Sequence, residues 1–177
     1  MTAQNISTAL RRVREIFVRR PTVAFVTDAA AIARWDRDLR VVSRHANGSE
    51  FVTDMPTELG GTGAEVTPGW FLRAGIAACL ATRIAMEAAE RGVVLEELEV
   101  RAESNSDVRG LFGMRDETGR PVSAGPSQMK IEVRARAGNI DTEVLRALIL
   151  ECHRNSPVSA AIENGVPASL HVDIRSQ

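Results

Sequence analysis

The sequence is poor in several residue types, and each shortage narrows what the protein can be. Two cysteines in 177 residues cannot make a disulfide framework, which favours a reducing compartment over secretion and predicts a cytoplasmic protein. There is no tyrosine, and Lys130 is the one lysine against 21 arginines, a compositional bias rather than a functional signal. Neither sign of charge dominates: the net charge is −1, so nothing global draws the chain to nucleic acid or a membrane. No signal-peptide core is visible at the N-terminus. The longest apolar run, Trp70 to Met86, is too short and too broken by arginine to span a bilayer. The two cysteines and three histidines (Cys79, Cys152, His45, His153, His171) show none of the paired spacings of a zinc site, so neither metal nor cofactor is expected. What remains, 44% hydrophobic and 25% charged, fits one globular domain with a real core.

The chain is organised around Thr67 to Gly92, TPGWFLRAGIAACLATRIAMEAAERG. Thr67 suits an N-cap, and Pro68 stands at the first helical position, where its missing N–H costs nothing. Gly92 can adopt the left-handed conformation past a helix end. Between them lies a helix of about 24 residues, roughly 36 Å. From Trp70 to Met86 only Arg73, Thr82 and Arg83 interrupt apolar residues, and a helix apolar on most of its circumference is expected to be buried.

Ile6 to Phe17 carries Ile6, Leu10, Val13 and Phe17 at helical spacing, with Arg11, Arg12 and Arg14 off that stripe; Pro21 ends it. It reads as an amphipathic extension over residues 1–21 that packs on the domain formed by 22–177 or on a partner subunit. Thr22–Asp28, Ala33–Trp35, Leu39–Arg44 and Glu50–Thr53 read as strands, with Asn47-Gly48 as a hairpin turn. The glycine-rich loop Thr57–Glu65 precedes the central helix but has no P-loop Lys-Ser/Thr and no dinucleotide fingerprint, so it reads as a loop needing positive φ. Leu95 to Ala102 reads as a strand with an irregular start, Asp107–Gln128 as a long loop or hairpin, and Met129–Arg136 as a half-buried strand. A helix runs from an Asp141 cap to about Arg154 and another from Pro157 through Ile162. Leu170, Val172 and Ile174 alternate in a final strand. Strands and helices in separate runs give an α+β fold with antiparallel sheets.

Cys79, in the middle of the central helix, is the residue that carries chemistry or none. By spacing alone it reads as a core cysteine, since cysteine is among the most buried residue types. Arg83 lies one turn on, and a guanidinium reaching the sulfur would favour thiolate; Arg83 can equally pair with Glu87. Cys152 is followed by His153, but nothing else nearby supports a Cys–His hydrolase.

LGG and its short glycine loop, TPGWFLRAGIAACLA, a strand pair, and a helix ending NSPVSAAIENGVP follow one another in this order. Together they resemble the OsmC/Ohr family, named for osmotically inducible protein C and organic hydroperoxide resistance, over roughly Ala33 to Ile174. The resemblance implies an intertwined homodimer of α+β protomers, with long central helices wrapped by antiparallel sheets and sites at the subunit interface. It implies reduction of organic hydroperoxides by a thiolate on the central helix, here Cys79, leaving a sulfenic acid. It assigns thiolate stabilisation and peroxide polarisation to an arginine in an Arg-Asp turn, matched by Arg37-Asp38. Two further family positions differ. The glutamate that follows the helix-start proline is Gly69 here, with Glu58 or Glu65 as spatial substitutes. The resolving cysteine that precedes a proline is Ser156 here, and a hydroxyl cannot form a disulfide. Cys152, four residues earlier and about 6 Å away along the helix, can replace it only if the helix shifts or its place differs.

Two functions follow. One is a thiol peroxidase acting through Cys79 with Arg37, resolved by Cys152 or by an external thiol reductant. The other is a non-enzymatic relative that binds a small apolar ligand or a protein partner, with Trp70 and Phe71 near the helix start in its pocket or in its core. A weaker third reading, nucleic-acid binding by the arginine-rich N-terminal helix, predicts a salt-dependent DNA shift lost on deleting residues 1–20.

Overall fold

The computed structural model describes residues 3–174. The element order is α1 (Ala3–Arg19), β1 (Ile32–Arg37), β2 (Arg40–Arg44), β3 (Glu50–Thr53), α2 (Pro68–Glu90), β4 (Leu95–Asn105), β5 (Gln128–Ala137), α3 (Thr142–Arg154) and α4 (Pro157–Asn164). Two antiparallel sheets form, β1-β2-β3 and β4-β5, in the α+β arrangement that the sequence implies.

Helix α2 begins and ends where its capping residues place it. The Thr67 hydroxyl accepts a hydrogen bond from the Trp70 N–H at 3.3 Å, and Pro68 occupies the first turn. At the other end Gly92 takes φ +66°, and the Val93 N–H reaches back to the Ala88 carbonyl at 2.8 Å, which satisfies a carbonyl left over by the last turn. One stripe of α2, Ile76, Leu80, Ile84 and Ala88, is buried. Leu80, Ile84 and Ala88 form the core with Val93, Leu148 and Cys152, flanked by Leu98 and Val100 of β4 and Ile131 and Val133 of β5. Each fully buried Leu or Ile contributes about 1.5–3 kcal/mol.

Apart from Glu87 and Ala89 at its C-terminal end, the rest of α2 is not buried. Trp70, Leu72, Gly75 and Ala78 are exposed in the single chain, so the expectation of a helix covered on most of its circumference is not met within one chain. The first sheet is likewise open: Phe51 of β3 meets Phe71 of α2 edge-to-face, ring centroids 5.7 Å apart, and Trp35 on β1 remains 73% exposed.

Among the described residues two expected strands are not formed, and Arg175 at the end of the second lies outside them. Thr22–Asp28 gives a 3₁₀ turn at Pro21–Ala24 followed by irregular chain; Pro21 presets a turn and no neighbour pairs with the β-branched residues. Leu170–Ile174 keeps its alternating pattern but makes no ladder, and Leu170 is 90% exposed. A strand exists only by pairing with another. The irregular start of β4 is a bulge between Leu95 and Glu97. Helix α1 packs on α2, and Arg14 pairs with Glu90 at 2.7 Å.

The glycine-rich loop is organised around Asp54, which is buried. Its carboxylate accepts hydrogen bonds from the N–H groups of Met55 and Thr62 and from the Thr62 hydroxyl. The Thr62 hydroxyl, then the Thr62 and Met55 amides, hold the carboxyl below its ordinary value. Gly61 is required here, because a Cβ would lie 1.8 Å from the Met55 carbonyl oxygen. Several loop amides are thus spent on the loop itself rather than left open for a phosphate.

Candidate active site around Cys79

Cys79 is half-buried near the middle of α2. Its neighbour comes from 77 positions further on: the Ser156 hydroxyl donates to the Cys79 sulfur at 3.4 Å. The corner between α3 and α4 creates this contact. Asn155 closes α3 and Ser156 is extended (ψ 116°), while Pro157 starts α4 at once. The backbone of Ser156 is fully engaged, its N–H with the His153 carbonyl (3.1 Å) and its carbonyl with the Ala160 N–H (2.9 Å). Its hydroxyl does not cap α4, although serine at this position normally would. The side chain points inward to the thiol instead and is 0% exposed.

Cys152 has a different environment. It belongs to the hydrophobic core, and its thiol donates to the Arg83 carbonyl at 3.7 Å. Burial pushes the Cys152 thiol up, against the opposing pull of the Arg83 charge. The structure therefore brings Ser156 to Cys79 and sets Cys152 in the core as a neutral thiol.

Arg83 is engaged away from Cys79. Its guanidinium bonds Glu87 at 2.7 Å; Glu87 also accepts from Arg91 at 2.6 Å, and Arg91 reaches Glu151 at 2.6 Å. This chain ties the C-terminal half of α2 to α3. Burial alone would raise the Glu87 carboxyl, but the hydrogen bonds from Arg83 and Arg91 reverse that, and it sits below its ordinary value.

The first hairpin sets the Arg-Asp turn. Arg37 pairs with Arg40, Asp38 takes φ +46°, and the Trp35 indole N–H donates to the Asp38 carbonyl at 2.9 Å. Arg37 thus stands at the hairpin tip, exposed. Among the described residues its guanidinium has no hydrogen-bond or ion-pair partner. Glu65 lies 3.8 Å from Arg40, which also bonds Asp36 at 3.1 Å. Glu58 is exposed and accepts from the Thr57 hydroxyl at 3.3 Å. Neither carboxylate is with Arg37. Trp70 and Phe71 meet edge-to-face at 5.6 Å, and with Phe51 they join β3 to the start of α2.

Two arginine contacts were not foreseen. Arg40 reaches Glu65, and Arg73, on α2, donates to the Ser104 hydroxyl on β4 at 3.1 Å. No pattern along the chain marks either one, since each joins residues well separated in sequence. Among the described residues no group of three or more His, Cys, Asp or Glu side chains is placed to hold a metal, and no helix is long and apolar enough to cross a membrane.

Comparison with known proteins places this geometry in context. No curated protein sequence matches the chain. Among solved structures, an OsmC-like protein from Mycoplasma pneumoniae is similar with TM-score 0.64 and 14% identity, over 80% of this chain and 91% of that one. An organic hydroperoxide resistance protein from Elizabethkingia anophelis gives TM-score 0.57 and 20% identity, over 80% and 91%. An organic hydroperoxide resistance protein OsmC from Legionella pneumophila gives 0.56 and 22%, over 78% and 90%. At these identities the likeness establishes the fold. The family model described as OsmC-like protein matches residues 61–171, from the glycine-rich loop through the Cys79 helix and the Ser156 corner, and the chain belongs to the OsmC-like family.

Proposed function

We propose that the protein is a one-cysteine thiol peroxidase that reduces organic hydroperoxides through Cys79 and is recycled by an external thiol. The observation that carries this reading is the 3.4 Å contact from the Ser156 hydroxyl to the Cys79 sulfur, at the position where the family resemblance expects a second, resolving sulfur. The Cys79 thiolate attacks the terminal oxygen of ROOH; the S–O bond forms, the O–O bond breaks, and RO⁻ leaves to be protonated to the alcohol. Cys79 is then a sulfenic acid. An external thiol attacks that sulfur, forming a mixed disulfide and releasing water. A second external thiol attacks the mixed disulfide, restoring Cys79 and leaving as a disulfide. The balance is one hydroperoxide and two thiols to one alcohol, one water and one disulfide. A reducing compartment such as the cytoplasm supplies such thiols.

The working unit in this reading is a homodimer. The uncovered side of α2, the open β1-β2-β3 sheet with exposed Trp35 and Phe51, and the unpaired alternation at Leu170, Val172 and Ile174 all support it. Such apolar surface on a single chain marks an interaction face. Arg37, exposed at its hairpin tip and without a side-chain partner among the described residues, is the guanidinium assigned to the peroxide.

The test combines mass spectrometry with a hydroperoxide turnover assay. Cumene hydroperoxide should add one oxygen at Cys79 in the wild type, block its alkylation stoichiometrically, and give turnover with a small thiol. Cys79→Ser should abolish all three, and Arg37→Ala should weaken turnover strongly. Activity persisting in Cys79→Ser would refute the mechanism. A Cys79 that peroxide leaves unchanged would make the protein a binding member of the fold, taking an apolar ligand or a protein partner.

A further inference from the structure

The two cysteines of this chain have opposite hydrogen-bond polarity. The Cys152 thiol donates, to the Arg83 carbonyl at 3.7 Å. The Cys79 sulfur accepts, from the Ser156 hydroxyl at 3.4 Å, and among the described residues this is the one hydrogen bond its side chain makes. A bond that a thiol donates exists only in the neutral form and is lost when the proton leaves. A bond that the sulfur accepts survives ionisation and strengthens, because the acceptor then carries the charge.

The α3–α4 corner fixes the direction of this bond. Ser156 is 0% exposed, its backbone N–H and carbonyl are taken by His153 and Ala160, and its hydroxyl caps no helix. Turned away from the sulfur, the hydroxyl would be a buried donor with no acceptor, an arrangement native structures avoid. Its proton therefore lies toward Cys79 before the thiol ionises, and the dipole already stands where the negative charge develops. The charged groups on the elements packed here are turned to one another. Arg83 bonds Glu87, and Arg91 spans Glu87 and Glu151 of α3. Arg73 bonds Ser104 of β4, and His153 at the end of α3 lies 3.7 Å from Glu163 of α4. The strand residues packed against the core, Leu98, Val100, Ile131 and Val133, are aliphatic.

We infer that Ser156 is a positioning residue for Cys79: its buried hydroxyl holds the sulfur as a hydrogen-bond acceptor and stabilises the thiolate. The inference rests on Cys79 as the nucleophile of the proposed function, but its test needs no peroxide. Full-length reduced protein is alkylated with iodoacetamide from about pH 5 to about pH 10, a range that brackets an ordinary thiol. Mass spectrometry follows the Cys79 and Cys152 peptides separately. In Ser156→Ala the Cys79 midpoint should move up by about half a unit to one unit. That is a roughly threefold to tenfold fall in the thiolate-to-thiol ratio, the difference between a charge-assisted and a neutral hydrogen bond. Ser156→Thr keeps the hydroxyl and should bring the midpoint back. The limiting rate at high pH should not fall, and Cys152 should react as slowly as in the wild type, whereas a corner that had merely loosened would open Cys152 to the reagent. An unmoved Cys79 midpoint in Ser156→Ala would overturn the inference. So would an equal shift in Ser156→Thr, or a Cys152 rate that rises together with the Cys79 shift. Cumene hydroperoxide separates the two readings. A shifted midpoint in a protein that it does not oxidise refutes the peroxidase and keeps the role of Ser156; oxidation of Cys79 with an unmoved midpoint does the reverse.

Discussion

Glu87 offers the sharpest test of how α2 is held. Its carboxylate is buried and accepts from two guanidinium groups, Arg83 at 2.7 Å and Arg91 at 2.6 Å. Glu87→Gln keeps the volume and removes the charge. A hydrogen bond to a charged group is worth about 1.5–3 kcal/mol, which sets an upper range of roughly 3–6 for the two. Solvent takes part of that back. The Arg91 side chain is 43% exposed and keeps its bond to Glu151, and the Arg83 side chain is 19% exposed, so both regain hydration when Glu87 is neutral. The amide oxygen still accepts from one of them. We expect a net loss of about 2–3 kcal/mol at neutral pH. For a chain of this size about 2–4 °C accompany each kcal/mol, giving a fall in Tm of roughly 4–12 °C.

The same carboxylate gives the pH signature. Its folded-state pKa lies below the ordinary value, so its stabilisation is fully present above the unfolded-state value, about 4.3, and is lost as pH falls through the folded one. The wild type and Glu87→Gln should therefore differ fully at neutral pH and converge as pH drops below about 4. Urea unfolding of both proteins at neutral and acid pH measures this, with their difference as the readout because other carboxylates titrate in both. A difference under about 0.5 kcal/mol at neutral pH, or one that stays constant into acid, would refute the account.

Three further changes probe other parts of the chain. Gly61→Ala should unseat the Asp54-centred loop, because the new Cβ would lie 1.8 Å from the Met55 carbonyl oxygen; faster amide exchange at Thr62 reports it, and unchanged exchange would contradict it. Ile84→Ala empties a fully buried core position and should cost about 2–5 kcal/mol in denaturant unfolding, with a loss below about 1 kcal/mol indicating a site that collapses easily. Ser156→Cys should convert peroxide-treated protein from a Cys79 sulfenic acid to a disulfide between positions 79 and 156, read as the loss of two hydrogens by intact mass. Persistence of the added oxygen in that variant would mean that the side chain at 156 does not meet the oxidised sulfur.

The sequence made some of this legible because the signals were local. The Thr67-Pro68 start, the left-handed Gly92 and the irregular opening of β4 each depend on a few consecutive residues, and each stands where expected. Alternation at Leu170, Val172 and Ile174 marks an apolar side, but it says nothing of which strand edge is available to pair with. The apolar circumference of α2 likewise told how much surface wants cover without telling that one chain covers a single stripe. At the site, the Arg37-Asp38 turn came from the family resemblance rather than from any local turn signal. Neither the Ser104 partner of Arg73 nor the hydroxyl at Cys79 was readable from the sequence, since each contact depends on how separate elements pack. Arg83 has Cys79 and Glu87 each one turn away on α2; it takes Glu87, whose carboxylate offers a charge-assisted bond.

The replacement of a sulfur by a hydroxyl at Ser156 has a consequence for the whole catalytic cycle. In a two-cysteine cycle the second sulfur attacks the sulfenic acid from within, so the oxidised enzyme closes on itself and the reductant meets a disulfide. Serine can hydrogen-bond to the oxidised sulfur but cannot displace water from it, because an unactivated alcohol is a far weaker nucleophile than a thiolate. Cys152 does not supply the missing group where it stands: it is in the core, bonded to the Arg83 carbonyl and held toward the neutral thiol by burial, and the thiolate is the form that attacks. Under the proposed function, turnover would then pass through a mixed disulfide formed on Cys79 itself, which needs a sulfur that an outside thiol can approach. Cys79 is half-buried where Cys152 is fully buried, so of the two cysteines it is the one that meets this requirement, and the choice of reductant would be made at its surroundings rather than at a second cysteine.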